Sequence, residues 1–255
     1  MSLQIGPALR TGGRQLFSRT GAILLAGYLV LLAGFLTVSN TLIAALYRQI
    51  GLTEVATALP LTLGIPLPVA AAAYLAGVLV AAYHSLVSVR TFVAAARDSF
   101  PAGAFTRNVP LAMVNMLVGG IVYGLLVAVG SVALVVPGVI AYVAFVFMLP
   151  YVAVEDRNFV DALRSSYRLS KGHWLLLFAL VVIVVSVAAL LGGVVGLLST
   201  LLLPPTVGQL VIVGVQAPAS LYTLAVVAAA FNQLKASERD PAAGAPAAES
   251  PSTPA

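Results

Sequence analysis

The chain has 255 residues, of which 61% are hydrophobic and only 8% are charged, and its mean hydropathy is +1.06. Soluble domains carry roughly 25% charged residues, so this composition excludes a water-soluble globular fold and predicts that lipid covers much of the surface. The net charge of +5 does not indicate nucleic acid binding, because the thirteen basic residues are scattered between apolar runs and form no continuous stripe.

Six apolar segments are long enough to cross a membrane, since a helix needs roughly 20 apolar residues to do so. In chain order they are about residues 22–46, 66 or 68–87, 110–132, 139–154, 174–202 and 208–231. Pro137-Gly138 predicts a tight hairpin between the third and fourth spans, and Pro204-Pro205 ends the fifth. The predicted fold class is all-α, an integral membrane protein with six transmembrane helices.

The basic residues predict the orientation of these spans. Twelve of the thirteen fall on one side, and only Arg48 falls on the other. Because loops on the cytoplasmic side are enriched in Lys and Arg, both termini are expected to be cytoplasmic. Arginine outnumbers lysine eleven to two, which favours a GC-rich prokaryotic genome and a location in the cell membrane.

A short charged island, residues 155–174, lies between two uncharged apolar runs. Asn158 can cap a helix that begins at Phe159, with Asp161 near its positive end. At about 100° per residue, one narrow stripe of this helix collects four charged residues, opposite an apolar side. The charged stripe consists of Asp161, Arg164, Arg168 and Lys171. This pattern predicts a cytoplasmic amphipathic elbow helix that lies in the plane of the membrane interface.

Four residues of this island are candidate contacts for anionic lipid head groups: Arg164, Arg168, Lys171 and Trp174. Each cation near an anionic membrane surface contributes about 1 kcal/mol, and the amphipathic ring of tryptophan is favoured at head-group depth. The alternative is a purely topological role, in which these cations only keep the loop on the cytoplasmic side.

A second elbow helix is predicted in the preceding cytoplasmic loop. Residues 92–100 align with residues 159–167, with five identical positions and one further position that is aromatic in both. Each stretch follows an inward-running span and precedes an outward-running one. The pattern suggests a duplicated span-elbow-span unit, which would form a parallel repeat about an axis along the membrane normal.

The C-terminal residues predict a change of organisation. From Ala236 the sequence is rich in Ala, Pro and Ser and cannot bury a core. We therefore expect a transmembrane domain over residues 1–235 and a disordered cytoplasmic tail over residues 236–255.

Intramembrane chemistry is sparse. All eight acidic residues fall outside the apolar runs, which argues against a carrier that couples to ions through a buried carboxylate. The neutral residues Asn115, Gln209 and Gln216 are candidates for a polar path through the membrane. The alternative is that they make interhelical hydrogen bonds.

No catalytic, cofactor-binding or metal-binding residues are predicted. The chain lacks cysteine, so disulfides, thiolate catalysis and cysteine-bound metals are excluded. The two histidines, His84 and His173, fall in separate segments without a helical partner three or four residues away. Glu155 and Asp156 are adjacent, and adjacent residues on a helix do not face each other.

One stretch, residues 106–180, resembles a known family. Its shared pattern is the Pro137-Gly138 pair, a helix that ends in Pro150-Tyr151-Val152-Ala153-Val154-Glu155, and then A-x-x-x-S-aromatic-x-L-[ST]-x-G, which this chain carries from Ala162 to Gly172. The stretch resembles a family of uncharacterised six-span membrane proteins of halophilic archaea. It is more distantly similar to the membrane domain that accompanies glycerophosphodiester phosphodiesterases. The resemblance implies a fold and a membrane location, and it implies no activity, since the phosphodiesterase chemistry belongs to a separate soluble domain.

These observations favour a non-enzymatic membrane protein that acts as a scaffold, an accessory subunit or a lipid-organising unit. Its expected partners are membrane lipids and another membrane protein, with no cofactor and no nucleic acid. The alternative function is a transporter or permease for an uncharged or lipid-like solute. A lipid-acting membrane enzyme is a third hypothesis, and it would require titratable groups that converge at one interface.

Overall fold

The computed structural model describes residues 3–133 and 135–239, and the regular structure within those ranges is entirely α-helical. The helices, in chain order, are α1 (Ile5–Leu16), α2 (Arg19–Gln49), α3 (Thr53–Ala58), α4 (Leu67–Val93), α5 (Val109–Ala133), α6 (Val135–Ala144), α7 (Met148–Glu155), α8 (Phe159–Ser170), α9 (Trp174–Leu202) and α10 (Pro205–Arg239).

Six segments of the described chain are long and apolar enough to cross a membrane. They are residues 19–49, 67–93, 109–132, 136–155, 174–202 and 205–239. Large apolar side chains on these segments are exposed, as lipid-facing surfaces require. The all-α prediction with six spans is confirmed, and the chain has the helices of a multi-pass membrane protein.

Five of the six spans begin earlier or end later than the apolar runs that predicted them, whereas the fifth, residues 174–202, has the predicted bounds. The first starts at Arg19, because the hydroxyl of Ser18 caps it by accepting a hydrogen bond from the N–H of Gly21 at 3.1 Å. The second extends to Val93 and therefore includes Arg90, which the sequence had placed in a loop. A helix can extend past its apolar run through polar residues when other elements pack against them. This packing cannot be predicted from the apolar pattern of the sequence.

The fourth span is broken. Its two pieces are α6 and α7, and residues 145–147 between them form a turn. Pro137-Gly138 lies in the first turn of α6 instead of forming the connection to α5, a position where the missing N–H of proline is harmless. Gly138 is required for close packing, since a Cβ built on it would lie 2.6 Å from the backbone nitrogen of Ser131 in α5.

Most of the buried core lies at one end of the bundle. This end, which we call the basic end, is formed by α1, α7, α8 and the adjoining ends of α2, α4, α5, α9 and α10, and it carries twelve of the thirteen basic residues. The side chains buried there include Phe92 of α4, Phe147 of the turn before α7, Val152 of α7 and Phe231 of α10. Toward the opposite end, the described parts of α5 and α9 are mostly exposed.

Helix α1 was not predicted from the sequence. It packs along the last turns of α10, where Ala8 and Gly12 are buried. The Oε1 of Gln233 accepts a hydrogen bond from the N–H of Gln4 at 2.9 Å, and the hydroxyl of Tyr222 donates to the carbonyl of Leu9 at 3.3 Å. A helix with three glycines and a proline has low intrinsic stability, so its packing against α10 holds it in place.

Only one of the two predicted elbow helices forms. Residues 94–108, which join α4 to α5, contain turns and bends but no helix. The stretch aligned with α8 is therefore the end of α4 followed by a loop, so the two copies of the suggested repeat differ in structure. At the C-terminus, α10 continues through Arg239, four residues past the predicted domain boundary at 235. The rest of the predicted tail lies outside the described residues.

Candidate functional site

Helix α8 lies at the basic end between the fourth and fifth spans. Asn158 caps it, with its Oδ1 accepting from the N–H of Asp161 at 2.9 Å and its Nδ2 donating to the Asp161 carboxylate at 2.6 Å. This local signal, a cap residue followed by an acidic first turn, is what the sequence predicted for the start of the helix. Gly172, in the left-handed region at φ +89°, ends it and lets the chain turn into α9.

Side chains on the inner face of α8 hydrogen bond to the backbone at the break in the fourth span. The hydroxyl of Ser166 accepts from the N–H of Phe147 at 3.0 Å and donates to the carbonyl of Ala144 at 2.9 Å. Ser170 donates to the carbonyls of Val143 and Ala144 at 3.4 and 3.3 Å. Backbone groups freed within a span must find partners because lipid offers none, and these two hydroxyls supply them.

Asn115 ties α5 to the start of α8. Its Oδ1 accepts from the N–H of Phe159 at 3.0 Å, and its Nδ2 donates to the carbonyl of Leu111 at 2.8 Å. The first N–H groups of a helix lack partners within the helix, and Asn115 satisfies one of them. The geometry of this amide is that of an interhelical connection.

The outer face of α8 borders an open cavity of about 740 Å³ at the basic end, which we call the basic cavity. Its charged and polar lining comes from Arg157, Asp161, Arg164, Ser165 and Arg168. Its apolar lining comes from Val122 of α5, Phe145 of the break, and Phe159, Val160, Leu163 and Tyr167 of α8. The cavity therefore combines three guanidinium groups and one carboxylate with an apolar wall.

Arg157 is held rigidly at the edge of this cavity. Its Nε and Nη2 lie 2.9 and 2.8 Å from one carboxylate oxygen of Glu155, and its Nη1 donates to Ser165 at 2.6 Å. The guanidinium also stacks over the ring of Tyr151, 5.0 Å from its centroid. Glu155 bonds Lys235 of α10 as well, at 2.9 Å, so this carboxylate is shared between two cations.

The other two arginines keep most of their hydrogen-bonding capacity. Arg168 donates to the hydroxyl of Ser165 at 3.3 Å. Arg164 is exposed and makes neither an ion pair nor a hydrogen bond with any described residue. Arg164 is three residues from Asp161 but does not pair with it, because that carboxylate accepts from Asn158 instead. Guanidinium donors are thus left available at the mouth of the basic cavity.

Two of the four predicted head-group contacts lie outside the basic cavity. Lys171 is exposed at the far end of α8, outside the lining of the basic cavity. Trp174 packs edge-on against Tyr167, with ring centroids 5.9 Å apart, and lines a separate apolar cavity of about 410 Å³ between α6 and α9. The structure brings Arg164 and Arg168 together and adds Arg157.

A second cation cluster was not predicted from the sequence. Arg90, only 5% exposed, donates from Nε to the carbonyl of Ala153 at 2.8 Å and from Nη1 to that of Ala104 at 3.2 Å. Arg107 donates to the carbonyl of Val154 at 2.6 Å, and both guanidiniums approach the carboxylate of Asp156, at 3.7 and 3.3 Å. Cations are favoured at the negative C-terminal end of a helix, so this cluster anchors α7.

The three amides of the candidate polar path occupy three separate places. Asn115 lies beside α8. Gln209 is at the opposite end of the bundle, where its Oε1 accepts from Asn40 at 2.9 Å, and Gln216 faces a groove between α9 and α10.

Residues 3–133 and 135–239 contain no three His, Asp or Glu side chains that could hold a metal ion together. His84 lies 3.0 Å from the carbonyl of Leu24 through its Nε2.

Comparison with known proteins gives one match. A family model described as "Domain of unknown function (DUF7847)" matches residues 3–237. No curated protein and no solved structure matches the chain. The archaeal source and the similarity to a phosphodiesterase membrane domain stay predictions.

Proposed function

The chain belongs to the family described as a domain of unknown function, DUF7847, and we propose that it is a non-enzymatic membrane protein that binds and organises anionic lipids. The observation that carries the proposal is the basic cavity, where Arg157, Arg164 and Arg168 border an apolar wall. A phospholipid is complementary to this cavity, because its anionic head group would face the arginines and its apolar chains would face the apolar wall.

The chemistry of the cavity fits a phosphate. Arginine presents planar N–H donors that match phosphate oxygens in two-point hydrogen bonds. Arg157 is already oriented by Glu155, Ser165 and Tyr151, so little side-chain entropy is lost when it binds. Arg164 and Arg168 then supply donors that the protein leaves largely unused, and they provide the attraction to negative charge.

The position of the cavity also fits a lipid. Helix α8 connects the ends of the fourth and fifth spans, so it lies where a head group would lie. The apolar side of the cavity includes Val122 on the lipid-crossing helix α5 and Phe145 at the break, which would guide an acyl chain down into the bilayer. With the basic end on the cytoplasmic side, as the positive-inside rule favours, the lipid comes from the inner leaflet.

The competing hypotheses find less support. A permease lined by Asn115 and Gln216 would need both amides at one cavity, and they face different places. An enzyme would need convergent titratable groups. Glu155 pairs with Arg157 and Lys235, whereas Asp156 pairs with Arg90 and Arg107, so the two carboxylates are held apart and neutralised.

The test is native mass spectrometry of the protein released from vesicles that contain phosphatidylglycerol and phosphatidylcholine in equal amounts. We expect one phosphatidylglycerol to stay bound to the wild type and to be lost from the double variant Arg164→Gln/Arg168→Gln. The matched control is Arg10→Gln/Arg14→Gln, which removes the same charge from exposed positions of α1. Equal lipid retention by both double variants, or equal loss from both, contradicts a local site.

A further inference from the structure

Gln216 differs from the other amides in the apolar parts of the spans. Asn40 and Gln209 hydrogen bond to each other at 2.9 Å, and Asn115 bonds both Leu111 and Phe159. The side chain of Gln216 makes no hydrogen bond with any described residue, and it is exposed on the surface of α10. The chain therefore satisfies three of these four amides internally and presents the fourth outward.

Gln216 lies too deep in the membrane to be satisfied by water. At 1.5 Å per helical residue it is about 10 Å along α10 from Gln209 and about 24 Å from Asn232, the polar residues that flank the apolar stretch. A polar group exposed to hydrocarbon without a partner is unfavourable. An amide at this depth calls for a hydrogen-bonding partner from outside the chain.

The surroundings of Gln216 leave room for such a partner. It faces an open groove of about 390 Å³ between α9 and α10, which we call the Gln216 groove. Ser220, one turn further along α10, lines the same groove, and its hydroxyl also makes no hydrogen bond with the described residues. By contrast, Thr223 donates to the carbonyl of Ala219 at 2.8 Å. Two polar side chains on one face of α10 are thus unsatisfied.

The opposite wall of the groove is formed by Val185 and by four small residues of α9: Ala188, Ala189, Gly192 and Gly193. A Cβ built on either glycine would meet no atom within 4 Å. Glycine lowers the stability of a helix interior, and within the described chain no close contact requires it here. Small residues at such positions allow the backbone of another helix to approach closely in a membrane.

We propose that the Gln216 groove is the interface for a second copy of this chain. A carboxamide carries both donors and an acceptor, so it is complementary to itself. A twofold axis beside α10 brings Gln216 against the partner's Gln216, and the same surface serves both copies. The two Gln216 side chains then hydrogen bond to each other. The α10 helix of the second copy packs against the small residues of α9.

Two measurements in lipid vesicles test this interface. In the first, Ala219→Cys places a thiol beside Gln216 in a chain without cysteine, and Leu125→Cys places one on the exposed face of α5 as the control. In the second, subunits are counted by single-molecule photobleaching at increasing dilution in lipid, for the wild type, Gln216→Leu and Gln216→Asn. Circular dichroism of each variant verifies that the helices are intact.

We expect oxidation to link two copies through Ala219→Cys and not through Leu125→Cys. Gln216→Leu should dimerise about tenfold more weakly, the size of one or two interhelical hydrogen bonds in lipid, and Gln216→Asn should keep most of the affinity. The proposal is overturned if the two thiols link equally, if Gln216→Leu dimerises like the wild type, or if the wild type is a monomer with a lipid or another protein in the groove.

Discussion

The hydroxyl of Ser166 in α8 accepts a hydrogen bond from the backbone N–H of Phe147 at 3.0 Å, and it is fully buried between them. The same oxygen donates to the carbonyl of Ala144. One side chain thus bridges the two backbone ends at which the fourth span is broken. This makes the attachment of α8 and the integrity of that span a single structural feature.

Ser166→Ala should destabilise the protein by about 1–3 kcal/mol, because the buried N–H of Phe147 loses its partner. The carbonyl of Ala144 keeps only the longer bond from Ser170, at 3.3 Å. The free energy of unfolding in detergent, measured by denaturant titration, checks this. Ser186→Ala, on the exposed surface of α9, removes the same hydroxyl from a lipid-facing site and should change little. Similar stabilities for the two variants would contradict the role given to Ser166.

Arg90→Met should destabilise by about 2–3 kcal/mol. The carbonyl of Ala104 loses its donor, and that of Ala153 keeps only a 3.4 Å bond from Arg107. Asp156 keeps Arg107 and is partly exposed, which limits the loss. Arg97→Met is the control, since Arg97 is exposed and the charge change is identical. The free energies of unfolding of both variants, measured under the same conditions, show whether the buried position of Arg90 contributes to stability.

Gly12→Ala and Gly13→Ala should have opposite effects on α1. Alanine normally stabilises a helix relative to glycine by up to about 1 kcal/mol, and a Cβ on Gly13 makes only an ordinary contact, with Cε2 of Tyr222 at 4.0 Å. A Cβ on Gly12 would lie 2.6 Å from Cγ2 of Val226 and 3.1 Å from its backbone nitrogen, so α1 must move away from α10.

Hydrogen exchange of the α1 amides measures this difference. Protection should fall in Gly12→Ala and stay equal or rise in Gly13→Ala. A rise in both would mean that α1 does not rest on α10 as described.

Single cysteines should report the orientation of the bundle, because the chain has none of its own. With the basic end cytoplasmic, Ser99→Cys in the loop after α4 should resist a membrane-impermeant maleimide in intact cells. Thr53→Cys, exposed at the opposite end, should react. Both residues become reactive after lysis, which verifies their accessibility, and the reverse pattern would invert the topology.

Part of the candidate site was visible in the sequence. Arg164 and Arg168 recur at helical spacing and fall on one face of α8, as predicted. Arg157 was missed because it precedes the helix, and only its bonds to Glu155 and Ser165 turn it toward the cavity. Four residues of the motif are buried: Ala162, Ser166, Leu169 and Ser170. The motif is therefore explained by the attachment of α8 to the fourth span.

The sequence by itself determined the properties that depend on neighbours along the chain. Six apolar runs of sufficient length produced six spans, because backbone groups in lipid must pair within their own helix. The cap at Asn158 also followed from local residues, since a helix start needs a partner for its free N–H groups.

Only the tertiary structure decided the features that join residues far apart in sequence. Gln15 bonds the carbonyl of Phe92 at 2.9 Å, and Arg90 bonds that of Ala153. These contacts make α1 a stable helix and extend α4 beyond its apolar run, whereas the loop at 94–108 stays irregular despite its similarity to α8. Helix propensity and periodicity describe one segment at a time, and which segments meet is set by packing that no single segment encodes.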